Sequence, residues 1–222
     1  MKVISFSLWG RDSKYCCGAI ENVLIARNLY PSWVCRFYVS GIESELIFTL
    51  KRHGAQVMSC EDIKLHGSLW RFLALDDAGV DVMISRDCDS RIGVREKVAV
   101  DEWLASDKGV HVMRDHPWHE VGKMYAGMWG AKCDIIKDIG GLIRSFGGEQ
   151  EYGIDQDFLN KIIWPRVKSN CIQHVGYSYN DGSGKPFPVD GENYVAECLD
   201  EYNNPTSLRD REMALSYIRE QR

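Results

Sequence analysis

The opening sixty residues alternate strand-like and helix-like patterns, and that alternation constrains the fold more than any other feature. "KVISFSL" reads as a strand, and "SKYCCGAIENVLIARNLY" carries apolar residues at helical spacing at Ala19, Val23, Ala26 and Leu29. "WVCRFYV" returns to strand, "IESELIFTLKRHG" gives a second helix closed by Gly54, and "AQVMSC" a third strand. Parallel strands need crossover helices, so the economical architecture is α/β, a mixed, mainly parallel central sheet flanked by helices. Ligands of such sheets bind at the carboxyl ends of the strands.

Further along, "SLWRFLALDDAG" reads as a helix before the strand "DVMISR". A helix follows around Val94 to Leu104, then a strand "GVHVMR", a loop "DHPWHEVGKMYAGMWG" and a helix beginning near Ala131. "GIDQDFLNKIIWPRV" reads as a helix stopped by Pro165, "VGYSYNDGSGKPFPVDGENY" as a Gly- and Pro-rich loop, and "SLRDREMALSYIREQR" as a terminal helix. The 222 residues suit one enlarged domain over residues 1–205 with a helical tail over 206–222.

Composition narrows the class. No apolar run approaches the roughly 20 residues that span a bilayer, and the N-terminus passes straight into strand without a leader-like apolar region. The eight cysteines form no CxxC pair, which favours reduced thiols in a cytoplasmic setting over a disulfide framework or zinc ribbon. A net charge of −5 gives no general attraction to nucleic acid.

The chemistry is concentrated at "DVMISRDCDSRIG". A D-x-D pair alone is a weak signal: 18 aspartates make about one such pair expected by chance, and two occur, at 87/89 and 155/157. Context raises the first. An apolar strand delivers Asp87 and Asp89 to one sheet edge, where i, i+2 spacing suits one hard cation completed by water and phosphate oxygens, against an acidic turn as the bland reading.

Other residues could join them. His174 follows a short apolar segment and Lys185 sits in a Gly-rich loop; imidazole completes many carboxylate metal sites and lysine suits a diphosphate. Taken alone, each reads more simply as a hydrogen-bonded or solvated residue. Asp155, Gln156 and Asp157 stand at a helix start, where acids also serve as cap and dipole partners. Arg114, Asp115, His116 and His119 in "MRDHPWH" read as a ligand-lining loop in preference to a zinc site.

In this order, the pieces resemble small glycosyltransferases of the GT-A fold, close to bacterial and viral sugar transferases and more distantly to the glycogenin-like and galactosyltransferase-like retaining enzymes. The resemblance spans about Lys2 to Pro205. It rests on "SLWG" after the first strand, "WRFLALDD...VDVMISRDCDSR", "AGMWGAK", "DQDFLN" and "H...KPF".

The resemblance implies a hexosyltransferase that moves a sugar from a nucleotide sugar, foremost a UDP-sugar and next a GDP-sugar, to a glycan, glycoprotein or other hydroxyl acceptor. Retention of anomeric configuration and dependence on Mn²⁺ or Mg²⁺ go with it. It assigns the metal to Asp87, Asp89 and His174, the base and ribose to Ser7, Leu8, Trp9, Gly10 and Tyr15, and the donor phosphate to Lys185. Arg71 steadies donor or carboxylates; Gly127, Met128 and Trp129 form a donor and acceptor wall; Asp155 and Gln156 flank the transferred sugar. An inverting enzyme would need a base, for which Asp115 or Asp157 would stand.

Two rivals remain. A metal-dependent nucleotidyltransferase should show a Gly-rich basic loop after the first strand, where "SLWGRDSKY" has one glycine; a phosphatase with an aspartate nucleophile there is disfavoured by Leu-Trp-Gly. A non-catalytic nucleotide-sugar-binding protein fits the same motifs.

Overall fold

The structure, a computed structural model, describes residues 1–147, 151–176, 184–191 and 193–220. Of the loop read as "VGYSYNDGSGKPFPVDGENY", residues 177–183 and 192 lie outside these, as do residues 221–222 of the terminal helix. The chain runs β1 (Lys2–Trp9), α1 (Ser13–Leu29), β2 (Trp33–Ser40), α2 (Ser44–Arg52) and β3 (Gln56–Ser59), as the opening alternation predicts. A 3-10 helix over Gly67–Leu75 leads to β4 (Val82–Arg86), α3 (Val94–Ala105), β5 (Val110–Arg114) and β6 (Trp129–Lys132). Then come α4 (Ile139–Phe146), α5 (Ile154–Phe158), α6 (Trp164–Val167), β7 (Cys171–Val175), β8 (Lys185–Pro186) and α7 (Leu208–Glu220).

The strands form one sheet in the order β3-β2-β1-β4-β6-β5-β7-β8. All pairings are parallel except those of β6, which lies antiparallel between β4 and β5. Ala131, expected to start a helix, therefore sits in a strand; the four residues "WGAK" are too short for their own pattern to announce it.

β1 shows how the sheet sorts its two faces. Ile4, Phe6 and Leu8 point to the side covered by α1, packing with Ala19, Val23, Phe37 and Trp103. Val3 faces the opposite side, where Trp70, Phe72, Trp129 and Phe158 make the second apolar layer. Ser5 and Ser7 share that second face and grip the backbone of Arg71: Ser5 Oγ donates to the Arg71 carbonyl at 2.6 Å, and the Arg71 N–H donates to Ser7 Oγ at 2.9 Å. With its N–H and C=O drawn to β1, the segment Gly67–Leu75 takes the tighter 3-10 form in place of the expected α-helix.

Pro165 does not stop its helix. A π turn over Leu159–Ile163 precedes it, and Pro165 stands in the first turn of α6, where a missing N–H is tolerated. α7 lays Ala214 and Ile218 onto the fold as buried residues.

Candidate active site

The carboxyl ends of β1 and β4 meet at one edge. Their register runs to Phe6 opposite Arg86, so Ser7 and Asp87 come next on the two strands. The turn that carries Asp87 and Asp89 is gripped by close backbone approach. A Cβ on Gly18 of α1 would stand 1.9 Å from the Cys88 carbonyl oxygen, and one on Gly127 would stand 1.9 Å from Asp87 Oδ2. At Gly18 the obstacle is backbone and only glycine fits; at Gly127 it is the Asp87 carboxylate, which a larger residue would push aside. Cys88 alternates into the α1 face, buried, its thiol donating to the Ser7 carbonyl at 3.4 Å.

Arg71 is the hub. Its Nη1 pairs with Asp87 Oδ1 and with the Arg86 carbonyl at 3.2 Å, and its Nη2 pairs with Asp155 Oδ2 at 2.8 Å. The Arg71 side chain is 7% exposed, while that of Asp87 is 37% exposed and looks outward. Burial opposes the guanidinium charge, and the two carboxylates overcome that, holding its pKa above the ordinary arginine value. Asp155 Oδ1 also accepts from the Gln156 N–H at 2.9 Å, so the carboxylate starts α5 in a fixed pose while Gln156 remains exposed beside it.

Asp89 has its own cation. Lys14 Nζ, in the first turn of α1, reaches Asp89 Oδ2 at 2.9 Å and lies 4.4 Å from the centre of the Tyr15 ring. Burial opposes the Lys14 charge, and the hydrogen bond and field of Asp89 outweigh it, so its pKa is raised. The C-terminal segment crosses here too: the Leu199 N–H donates to the Asp89 carbonyl at 2.7 Å. The Cys198 thiol, pushed up to about 12 by burial and by the fields of Asp89 and Asp87, stands beside that carboxylate.

At the end of β1, Trp9 is 46% exposed, its ring covering Gly67 and meeting Trp70 edge-on at 6.0 Å. Gly10 turns the chain at φ +75 with its N–H on the Ser40 carbonyl. Trp9, Gly10 and Tyr15 thus rim the edge. Ser7 and Leu8 do not: Ser7 Oγ is committed to Arg71, and Leu8 faces the α1 core. Of the expected wall, only Gly127 reaches the aspartates. Met128 is buried with Met113, Phe187 and Val195, and Trp129 points to the other face against Phe72.

His174 and Lys185 are placed together but away from the aspartates. They are register partners on β7 and β8, so they point to one face. His174 Nδ1 meets His111 Nε2 at 2.8 Å, its Nε2 meets Glu102 Oε2 at 3.2 Å, and Lys185 pairs with the other oxygen of Glu102. Both ring nitrogens of His174 are therefore engaged by α3 and β5, which corrects its expected place as third ligand. Lys185 is likewise drawn to α3.

The "MRDHPWH" loop is held by its own bonds. Asp115 takes Arg95 in two contacts of 2.8 Å plus the Val195 N–H, and His119 Nδ1 accepts from the N–H groups of Asp115 and His116. Asp115 is 1% exposed, which removes it as a candidate base. Asp157 is an exposed partner of Lys161 at 2.7 Å.

Among the described residues no cluster of three His, Cys, Asp or Glu side chains could hold a metal. The pair Asp87 and Asp89 still offers hard oxygens: Arg71 and Lys14 hold one oxygen of each, and Asp87 Oδ2 takes no donor among the described residues. A divalent ion fits there when donor or water oxygens complete its shell. Lys14 and the Cys198–Leu199 strap are the site features that motif reading misses. The signal for Lys14 was its place in the first turn of the helix after β1, which the topology brings to the carboxyl edge.

No protein-family model and no curated protein matches the chain. Solved structures do. Glucosyl-3-phosphoglycerate synthase from Mycobacterium tuberculosis superposes with a TM-score of 0.51 at 13% identity, covering 79% of this chain and 69% of that one. An active-site mutant of LgtC gives 0.50 at 13%, over 78% of this chain and 72% of that one. A Bacillus anthracis protein described as a glucose-1-phosphate thymidylyltransferase gives 0.51 at 10%, over 78% and 85%. The fold is that of these structures, a GT-A-like, Rossmann-like mixed and mainly parallel sheet flanked by helices. No helix among the described residues is long and apolar enough to cross a membrane.

Proposed function

We propose that the protein is a glycosyltransferase of hexosyltransferase type, taking a sugar from a UDP-sugar to a hydroxyl of a glycan or glycoprotein with retention of configuration. The observation that carries this reading is the Arg71 bridge, which sets Asp87 of the D-x-D pair and Asp155 on one buried cation at the carboxyl edge of the sheet. The fold it shares with LgtC and with glucosyl-3-phosphoglycerate synthase is compatible with such a donor.

Asp87 and Asp89 would hold Mn²⁺ or Mg²⁺, which when bound supplies positive charge to the departing diphosphate. Arg71 fixes both Asp87 and Asp155, so neither carboxylate has to reorganise as charge moves in the reaction. Trp9 offers an aromatic face for the base, and Asp155 with the Gln156 side chain faces the sugar, where carboxylate and amide oxygens stabilise an oxocarbenium-like centre. The acceptor oxygen bonds to the anomeric carbon as the bond from that carbon to the diphosphate oxygen breaks and its electron pair leaves with the diphosphate. The acceptor proton passes to a phosphate oxygen. Retention by this route suits a site whose two candidate bases, Asp115 and Asp157, are each paired elsewhere.

A donor-hydrolysis screen across UDP- and GDP-sugars with Mn²⁺ tests the proposal; turnover of a UDP-sugar supports it, and turnover of none overturns it. The fold shared with the thymidylyltransferase keeps nucleotidyl transfer as a second reading. Nucleoside triphosphate with a sugar 1-phosphate, run in the same screen, separates the two.

A further inference from the structure

The two aspartates of the D-x-D pair are not equivalent in what holds them. Asp87 belongs to a buried network in which Arg71 is also tied to Asp155 and to the Arg86 carbonyl. Asp89 has one cationic partner, the flexible Lys14, whose ammonium makes a single contact with it at 2.9 Å and whose stem is part-exposed, with the Cys198 thiol as its neutral neighbour. A divalent ion that takes Asp89 Oδ2, alone or with the other oxygen, displaces Lys14, while Arg71 can remain where it is. The displaced ammonium is still anchored one residue before Tyr15 at the start of α1. A diphosphate bound to an ion on Asp89 would lie within a few side-chain rotations of it.

The other lysine offered for this role is elsewhere. Lys185 shares Glu102 with His174 on the α3 face of the sheet. Resting on the nucleotide-sugar reading above, we propose that Lys14 is the donor-phosphate lysine, exchanging between Asp89 when the site is empty and the donor diphosphate when it is loaded.

The exchange has a thermodynamic signature. Lysine is a compact, strongly hydrated point charge that can stay with one anion or move to another. With Lys14 on Asp89, the empty site resists a free divalent ion; with a diphosphate present, Lys14 gains a new partner and the resistance falls. Ion and nucleotide then help each other to bind, and reciprocity requires the same coupling in both directions.

Isothermal titration on the full chain tests this, with Mn²⁺ alone and with UDP at saturating Mn²⁺, on the wild type, Lys14→Met, Lys14→Arg and Lys185→Met, each first shown to melt cooperatively. Lys14→Met should bind Mn²⁺ alone about tenfold more tightly and UDP about tenfold more weakly, a tenfold change being the scale of one charge-assisted contact. Lys14→Arg should recover most of the UDP affinity, and Lys185→Met should leave both titrations unchanged. If the wild type binds UDP and Lys14→Met binds it equally well, or if Lys185→Met is the variant that loses it, the exchange is overturned. If the wild type binds no nucleoside diphosphate, the transferase reading falls with the phosphate role. Unchanged Mn²⁺ affinity in Lys14→Met would separately remove the competition at Asp89.

Discussion

Arg71 and Asp155 are joined at 2.8 Å across 84 positions of sequence, and the same guanidinium holds Asp87. One side chain thus fixes the relative placement of two carboxylates from separate elements, one after β4 and one in α5.

Replacing Arg71 tests that hub. Arg71→Met leaves Asp87 and Asp155 without their shared partner, and breaking a buried pair costs about 3 kcal/mol or more. Denaturant unfolding should show that loss. Arg71→Lys, which keeps the charge but has no fork to span two carboxylates, should recover part of the stability and little of the donor turnover. Full turnover in Arg71→Lys would show that charge alone suffices.

The two close-approach glycines should fail differently. Gly18→Ala drives a methyl into the Cys88 carbonyl, and Gly127→Ala drives one into the Asp87 carboxylate. Overpacking against fixed backbone, as at Gly18, costs about 1–3 kcal/mol. Gly18→Ala should show mainly as a lower melting temperature, whereas Gly127→Ala, meeting a movable side chain, should spare stability and cut donor hydrolysis by tenfold or more.

Removing the carboxylate of Asp89 should abolish metal-dependent donor hydrolysis in Asp89→Ala with the fold intact by circular dichroism. Chelation by EDTA should reproduce the loss in the wild type, and added Mn²⁺ should reverse it only there. Unchanged turnover in Asp89→Ala would remove this residue from the metal site.

The pH dependence of stability should carry the mark of His174. Its pKa is lowered from 6.5 to about 4 by burial and then by Arg95. The unfolded chain therefore takes up a proton before the native one does, so stability is whole above about pH 6.5 and falls as pH drops towards 4. The slope is about 1.4 kcal/mol per pH unit for each such proton. His174→Asn should flatten the curve in that window by one proton's worth; an unaltered slope would show that the imidazole titrates normally.

The opening β-α-β-α-β was legible because each element carries its own period. β6 was not: four residues including Gly130 have no period to read, and their strand state comes from pairing with β4 and β5 on both sides. Asp87, Asp89 and Asp155 were legible as candidates from motif and topology, since Asp87 and Asp89 follow β4 and Asp155 stands in the first turn of α5. Lys14 could not be tied to Asp89, a partner 75 positions away. Lys185 misled for a related reason. Its direction is set by register with His174, and nothing in "GSGKPF" tells which face of the sheet a two-residue strand will use.

The place of β6 bears on how the molecule is made. β4 and β5 never pair with each other; the later-synthesised Trp129–Lys132 is inserted between them. On an emerging chain, β1 to β4 can assemble as a parallel half-sheet, but β5 has no strand to join it to that half until residue 132 has left the ribosome. The two parts of the sheet are thus sutured by one short strand, and a stalled or truncated chain ending before it would present two unjoined edges.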